Sequence, residues 1–344
     1  MNDTMKDTMN DTMNEMFRSL TNGPEVYQPS KFWQQLNEQN VAQLESGGMG
    51  NVKRTLAQNY FTWIVGFRSP LFRQLSRITS YSNWLQVLRG LPAYDKESGL
   101  RLRRFYELHI FSRLVWLLAE RHDSKQLLAR IHEPEFGNPF RIRFRDRLIS
   151  QDLANSLMEL YAIVEARAPA SHDPITVCEL GAGYGRNAYM FLSAYAKCKY
   201  IIVDIPPALY VSQEYLAAVL PSRRFMRFRP FDSFAEVEQE FNQADVVFLL
   251  PHQAEQLPRK SVDYFVNISS FHEMTLAQIE VYFDLVDRLT RGHFYMKQWQ
   301  SFENKRDGIT IAQKDYPYRS QWKQVYTRTP PSHPSFFETL FEIT

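Results

Sequence analysis

Three glycines at alternate positions, Gly181, Gly183 and Gly185, follow a short run rich in β-branched residues, Ile175 to Leu180, and precede a helical pattern that begins at Asn187. Glycine lets the chain turn sharply and lets a ligand approach where a Cβ would collide. A helix start behind such a turn offers free N–H groups and the positive end of its dipole. The stretch reads as a strand–loop–helix nucleotide site. A dinucleotide fingerprint wants G-x-G-x-x-G, its third glycine allowing helix to pack closely on strand. Arg186 breaks that pattern. Glu179 instead sits two places before the first glycine, and a second apolar strand, Tyr200 to Val203, ends in Asp204 about twenty residues on. A carboxylate there can accept hydrogen bonds from both hydroxyls of a ribose.

A second candidate constellation lies between residues 140 and 148. Phe140, Ile142, Phe144 and Leu148 alternate with Arg141, Arg143, Arg145 and Arg147. Alternation of period two predicts a half-buried hairpin with one face a row of guanidinium groups. That row is either a solvated face or a contact for an anion, such as a nucleotide-sugar or a phosphorylated acceptor.

The elements that must position these groups follow from the patterning. The 344 residues are enough for two domains or one large domain with an extension, and the 44% hydrophobic content is ample for a core. A net charge of +2 demands neither nucleic acid nor a membrane. Cys178 and Cys198 have neither disulfide-framework nor zinc spacing, and no long apolar segment or signal peptide appears. We expect a reduced, soluble, cytoplasmic protein. Residues 1–28, opening on a repeated Asn/Lys-Asp-Thr-Met, read as a flexible polar tail rather than a docking helix, although Met1, Met5, Met9 and Met13 fall at helical spacing. Residues 29–131 are mostly helical, with Ser30 a candidate cap and apolar-periodic stretches over 56–75 and 100–128. Residues 132–152 form the connecting hairpin, and residues 153–344 alternate strands with helices before a final hairpin. That order implies a mostly parallel sheet covered on both faces.

The stretch Glu179-Leu-Gly-Ala-Gly-Tyr-Gly-Arg186, the Asp204 that ends the second strand, and Ala254-Glu-Gln-Leu-Pro258 before Val262-Asp263 resemble the class I S-adenosylmethionine-dependent methyltransferases. The resemblance covers about residues 150 to 300. It implies an α/β Rossmann-like sheet and S-adenosylmethionine as cofactor. Glu179, Gly181, Ala182, Gly183, Tyr184 and Gly185 would surround that cofactor, with Asp204 and Ile205 at the ribose. It places His252 and Gln253 at the adenine, where the family often has an acidic residue, and Asn267 and Ser269, at the end of the fourth strand, among the cofactor contacts. Glu133-Pro, Gly137-Asn-Pro, Ser150 to Ser156, Ser270-Phe-His-Glu-Met274 and Tyr316-Pro with Trp322 extend the match, from about Pro29 onward, to a bacterial family of sugar O-methyltransferases. That narrower resemblance implies a sugar hydroxyl as acceptor, in a polysaccharide, glycoconjugate or nucleotide-sugar. Tyr316, Trp322 and the arginines Arg141, Arg143 and Arg145 would touch it.

Transfer of a methyl group to a hydroxyl needs an oriented acceptor and a base for its proton. Residues just past the fourth strand arrive where that base belongs. His272 is the first candidate, since an imidazole titrates near neutral pH. Glu273 could orient it, act as base itself, or hold a divalent ion; whether a metal takes part is open. Neighbours in sequence do not face the same way, so one of the two is expected to point into the site. The alternatives are methylation of another small metabolite, and a silent cofactor-binding partner in which both side chains turn away.

Overall fold

A computed structural model of the chain describes residues 3–56, 64–170 and 172–343, with side chains from residue 11 onward. Part of the 56–75 stretch, residues 57–63, lies outside the described residues. The strands are β1 (Ile142–Phe144), β2 (Arg147–Ile149), β3 (Ile175–Leu180), β4 (Cys198–Val203), β5 (Phe225–Met226) and β6 (Val246–Leu249), then β7 (Val262–Ile268), β8 (Thr290–Trp299), β9 (Ser301–Asn304), β10 (Ile309–Ala312), β11 (Lys323–Arg328) and β12 (Phe336–Glu342). Eight of them form one sheet in the order β11-β12-β8-β7-β3-β4-β6-β5. All pairs from β8 to β5 are parallel, and β12 runs antiparallel to both β8 and β11. The expected α/β architecture, with its closing antiparallel hairpin, is the observed one.

Both faces of this sheet are buried, which is why its strands read as continuous apolar runs. Val177, Tyr200, Ile202 and Phe248 point into one core, and Cys178, Leu180, Ile201 and Val203 into the other. The first core is closed by the helices Leu102–His122, Gln151–Ile163, Arg186–Ala194 and Ala208–Val219, the second chiefly by Leu276–Leu289. The chain leaves β3 for β4 on one side, and β7 pairs on the other. Such a reversal opens a crevice at the carboxyl ends of the strands.

The N-terminus departs from expectation. Asp3–Asn22 is a helix, and Met13, Met16 and Leu20 are buried in the core. Met13 is the one methionine of the repeat whose side chain is described, and it is buried; Met1, Met5 and Met9 lie outside the described side chains. Ser30 precedes the helix Lys31–Gly47 but makes no side-chain cap; Asp307 accepts from the N–H groups of Lys31 and Phe32 at 3.0 and 3.2 Å instead. That frees the Ser30 hydroxyl, which donates to the Glu273 carbonyl at 2.7 Å.

The arginine hairpin forms, with a two-residue turn at Arg145-Asp146, both at positive φ. Antiparallel partners share a face of the sheet. The register Phe144↔Arg147 therefore puts Arg147 beside Phe144 rather than in the arginine row. Its guanidinium turns in over the Trp116 ring and donates to the Ile131 carbonyl at 2.9 Å.

Candidate functional site

A cavity of about 260 Å³ opens at the carboxyl ends of β3, β4 and β7. Its floor is the glycine loop. Gly181 has φ +74°, and a Cβ there would lie 2.3 Å from the Ser270 hydroxyl oxygen, so the β3 and β7 turns touch through a missing side chain. Gly185 has φ +88° and faces Leu216, outside the cavity walls; it lets the helix Arg186–Ala194 start. Ala182, Gly183 and Tyr184 line the cavity. Glu179 lines it too, but its two oxygens accept from Asn187 Nδ2 at 3.0 Å and the Tyr200 hydroxyl at 2.7 Å. Burial raises its carboxyl above the ordinary range against the pull of those two bonds.

Asp204 faces the cavity from the end of β4, with Ile205 beside it. The N–H groups of Gly183 and Ile205 donate to its two oxygens at 2.9 and 2.8 Å. Burial nevertheless pushes its carboxyl up to about 7. It is thus oriented by the backbone, with lone pairs left for hydroxyl donors.

Beyond β7 the two base candidates diverge. His272 is 2% exposed and does not line the cavity. Its Nδ1 is bonded to Gln298 Oε1 at 3.0 Å, and burial lowers the imidazole to about 4. Glu273 does line the cavity, and its Oε2 accepts from the Trp33 indole N–H at 3.1 Å. Burial pushes this carboxyl up to about 8, the Asp204 charge adding to the effect and the Trp33 bond opposing it. His272 Nε2 lies 3.5 Å from Glu273 Oε1. The cavity-facing group is the carboxylate, one residue from the first candidate, because the turn Phe271–Glu273 directs His272 back toward β8. Asn267 is fully buried and positions rather than contacts: its Nδ2 bridges the Leu180 carbonyl at 2.9 Å and Ser270 Oγ at 3.2 Å. Ser269 lines the cavity at φ +54°.

Several expected contacts lie elsewhere. Gln253 spends its amide on the Leu250 N–H and the Arg229 carbonyl, at 3.0 and 2.9 Å, and is absent from the cavity walls. His252 packs against Gly23 at the end of the first helix; Pro251 is the residue of that turn facing the cavity. Arg141, Arg143 and Arg145 are exposed and outside the walls, Arg145 being paired with Glu120 at 2.9 Å. Tyr316 and Trp322 belong to an aromatic cluster with Phe283 behind the Phe271 turn. They support the turn from behind; Trp322 Nε1 donates to Asp287 at 2.6 Å.

Residues given no role from the sequence complete the walls. Asp152, Asn155 and Glu159 line the cavity from one helix, at i, i+3 and i+7. Opposite them stand Arg186 and Lys297, both paired with Glu159, Lys297 at 2.9 Å. Burial would raise the Glu159 carboxyl, but the two cations outweigh it and hold it at about 2. The arginine that breaks the dinucleotide fingerprint is thus a structural cation of this wall. The polar stripe was readable in an otherwise apolar helix; Trp33 carried no signal, since it meets Glu273 only through the fold. Among the described residues, no group of three or more His, Cys, Asp or Glu side chains is placed to hold a metal, and no helix is long and apolar enough to cross a membrane.

No protein-family model matches the sequence, and no curated protein is similar to it in sequence. Among solved structures, a geranyl diphosphate methyltransferase in complex with GPP and sinefungin is similar at TM-score 0.41 and 11% identity, over 57% of this chain and 79% of that one. A SAM-dependent methyltransferase from Leishmania major is similar at TM-score 0.39 and 16% identity, over 55% of this chain and 72% of that one. Another, from Aquifex aeolicus, has TM-score 0.33 and 14% identity, over 51% of this chain and 85% of that one.

Proposed function

We propose that the chain is an S-adenosylmethionine-dependent methyltransferase acting on a hydroxyl group of a sugar. The observation that carries this reading is the placement of Glu273: a carboxyl held at about 8 on the wall of the same cavity as Asp204 and the Gly181–Gly183 loop. The residues fit such a cofactor. Asp204 is oriented toward hydroxyl donors, and the backbone at Gly181 admits no side chain. When bound, S-adenosylmethionine supplies a methyl group on a sulfonium leaving group.

The chain's own residues do the rest. Asp204 accepts the ribose hydroxyls, and Glu273 takes the acceptor's proton. The Trp33 N–H holds the Glu273 carboxylate in place. Orientation alone supplies about 7–11 kcal/mol of such a barrier, so a modest base is sufficient. Support for a sugar comes from the mixed lining of the cavity, where the polar Asp152, Arg186 and Lys297 share the walls with the aromatic Trp33 and Phe336. Asn155 Oδ1 is buried there with no partner among the described residues, an acceptor for a hydroxyl proton. A silent cofactor-binding role is disfavoured because Glu273 does not turn away.

Calorimetry tests the cofactor. S-adenosylhomocysteine should bind and NADH should not, and Asp204→Ala should cost about 1.5–3 kcal/mol of affinity. Because the ionised carboxylate is the better acceptor, affinity should rise as pH passes about 7, the value at which burial holds Asp204. Asp204→Asn should abolish that rise. Equal affinity for NADH would overturn the assignment. Incorporation of labelled methyl groups into a panel of sugars and non-sugar alcohols then tests the acceptor class.

A further inference from the structure

The described residues carry a basic, apolar face away from the cavity. Between residues 64 and 94 the sequence has four arginines, Arg68, Arg73, Arg77 and Arg89, and no acidic residue. All four are exposed, and none forms an ion pair among the described residues. The same segment exposes large apolar side chains. Tyr81 (80% exposed), Leu85 and Leu88 fall at i, i+4 and i+7 on the helix Tyr81–Leu88, and Ile78 ends the helix before it. The inner face is satisfied by Val87, which is fully buried, and by Trp84, which packs on Phe72.

The arginine hairpin joins this face. Arg113 donates to the carbonyls of Val87 and Gly90, at 2.7 and 2.9 Å, and to that of Arg143 at 2.8 Å, so β1 runs beside the end of the helix. Arg141 and Arg143 thereby extend the cationic surface, and Glu120 nearby is occupied by Arg145. Asp146 in the hairpin turn is a carboxylate on the same hairpin.

We infer that this face, the helix Tyr81–Leu88 with the exposed Arg73, Arg77, Arg89, Arg141 and Arg143 on the segments beside it, docks the protein on an anionic lipid surface. An interfacial face pairs an apolar stripe with cations beside it; here the helix supplies the stripe and the neighbouring segments supply the arginines. Charge decides the occupant: residues 64–94 carry four exposed arginines and no carboxylate, and with Arg141 and Arg143 they outnumber the exposed Asp95, Glu97 and Asp146 that border them, an excess complementary to anionic headgroups. The net charge of the whole chain conceals it, because the balancing acids lie in other segments. The inference is independent of the reaction proposed for the cavity.

Co-sedimentation of the full chain with vesicles tests it, using phosphatidylcholine alone and phosphatidylcholine mixed with phosphatidylglycerol. Binding is expected only to the mixed vesicles and should be lost at high salt. Each arginine contributes about fivefold at such a surface, so Arg73→Gln, Arg77→Gln and Arg89→Gln together should weaken binding about a hundredfold. Leu85→Ser with Leu88→Ser should weaken it too, and S-adenosylhomocysteine binding should be unchanged in both variants, as a check that they fold. Equal binding to neutral vesicles, no binding to either kind, or binding unaltered by both variants would overturn the inference. So would sedimentation velocity showing a dimer that the leucine variant dissolves, which would assign the face to a second copy of the chain.

Discussion

Glu273 and His272 differ in one respect that decides their chemistry. The imidazole is enclosed by Gln298 and Phe302 and held neutral by burial, whereas the carboxyl keeps an open side toward the cavity. Glu273→Gln should therefore lower kcat by about 10²–10⁴-fold, the usual worth of a general base, with S-adenosylhomocysteine affinity retained. His272→Ala should cost less, through the positioning of Glu273 alone. Since the base must be ionised, wild-type kcat should climb as pH rises through about 8. Stability runs the other way. A carboxyl raised from the ordinary 4.5 to about 8 contributes stability that is full below 4.5 and lost as pH rises through 8. Glu273→Gln cannot ionise and should keep that contribution, so thermal melts of the two proteins should diverge as pH rises from about 4.5 to about 8 and stay apart by a constant amount above it. If His272→Ala is inactive and Glu273→Gln turns over normally, the proton goes to the imidazole.

At the scale of elements, two segments depend on single positions. Met16 is fully buried in the first helix, so Met16→Ala should destabilise the fold by about 2–5 kcal/mol in urea titrations. A flexible tail would show no change. The loop after β3 depends on Gly181, where an L-residue costs about 1–2 kcal/mol for its left-handed backbone alone. Gly181→Ala also drives a methyl group into Ser270, whose Cβ would be 2.6 Å away. It should lower the melting temperature and abolish cofactor binding. Adding Ser270→Gly should recover part of the stability, since it removes the collision and leaves only the backbone term.

Across the whole molecule, the N-terminal helical region forms part of the site. Ser30 and Trp33 hold Glu273, and Tyr27, Val65 and Phe111 help close the cavity. A buried pair secures this arrangement further back: Lys53 meets Glu133, which also accepts from Ser150, the cap of the helix bearing Asp152. Lys53 lies over the Tyr184 and Tyr215 rings as well, 5.3 and 4.7 Å from their centres. Removing one member strands a buried charge. Lys53→Met should cost about 3–5 kcal/mol in denaturant melts, and Lys53→Met with Glu133→Gln should cost less than the single change. A double variant as unstable as the sum of the singles would show that packing, not charge, dominates there.

The order of strands and helices, the glycine loop and Asp204 were legible in the sequence because each rests on local rules: period-two and helical patterning, and the backbone freedom of glycine. The closing hairpin was legible for the same reason. Other features required the tertiary structure, because they depend on which face a side chain takes or on residues far apart in the chain. A two-residue turn moved Arg147 off the arginine row, and a single helical turn sent His272 inward and Glu273 to the cavity. Gln253, readable as a partner for an adenine edge, is consumed by two backbone groups. The Trp33–Glu273 bond spans 240 residues, and Asp307 caps a helix 276 residues before it, contacts that no local periodicity encodes. Sequence periodicity places a residue on an element, and the packing of that element against its neighbours decides what the residue meets.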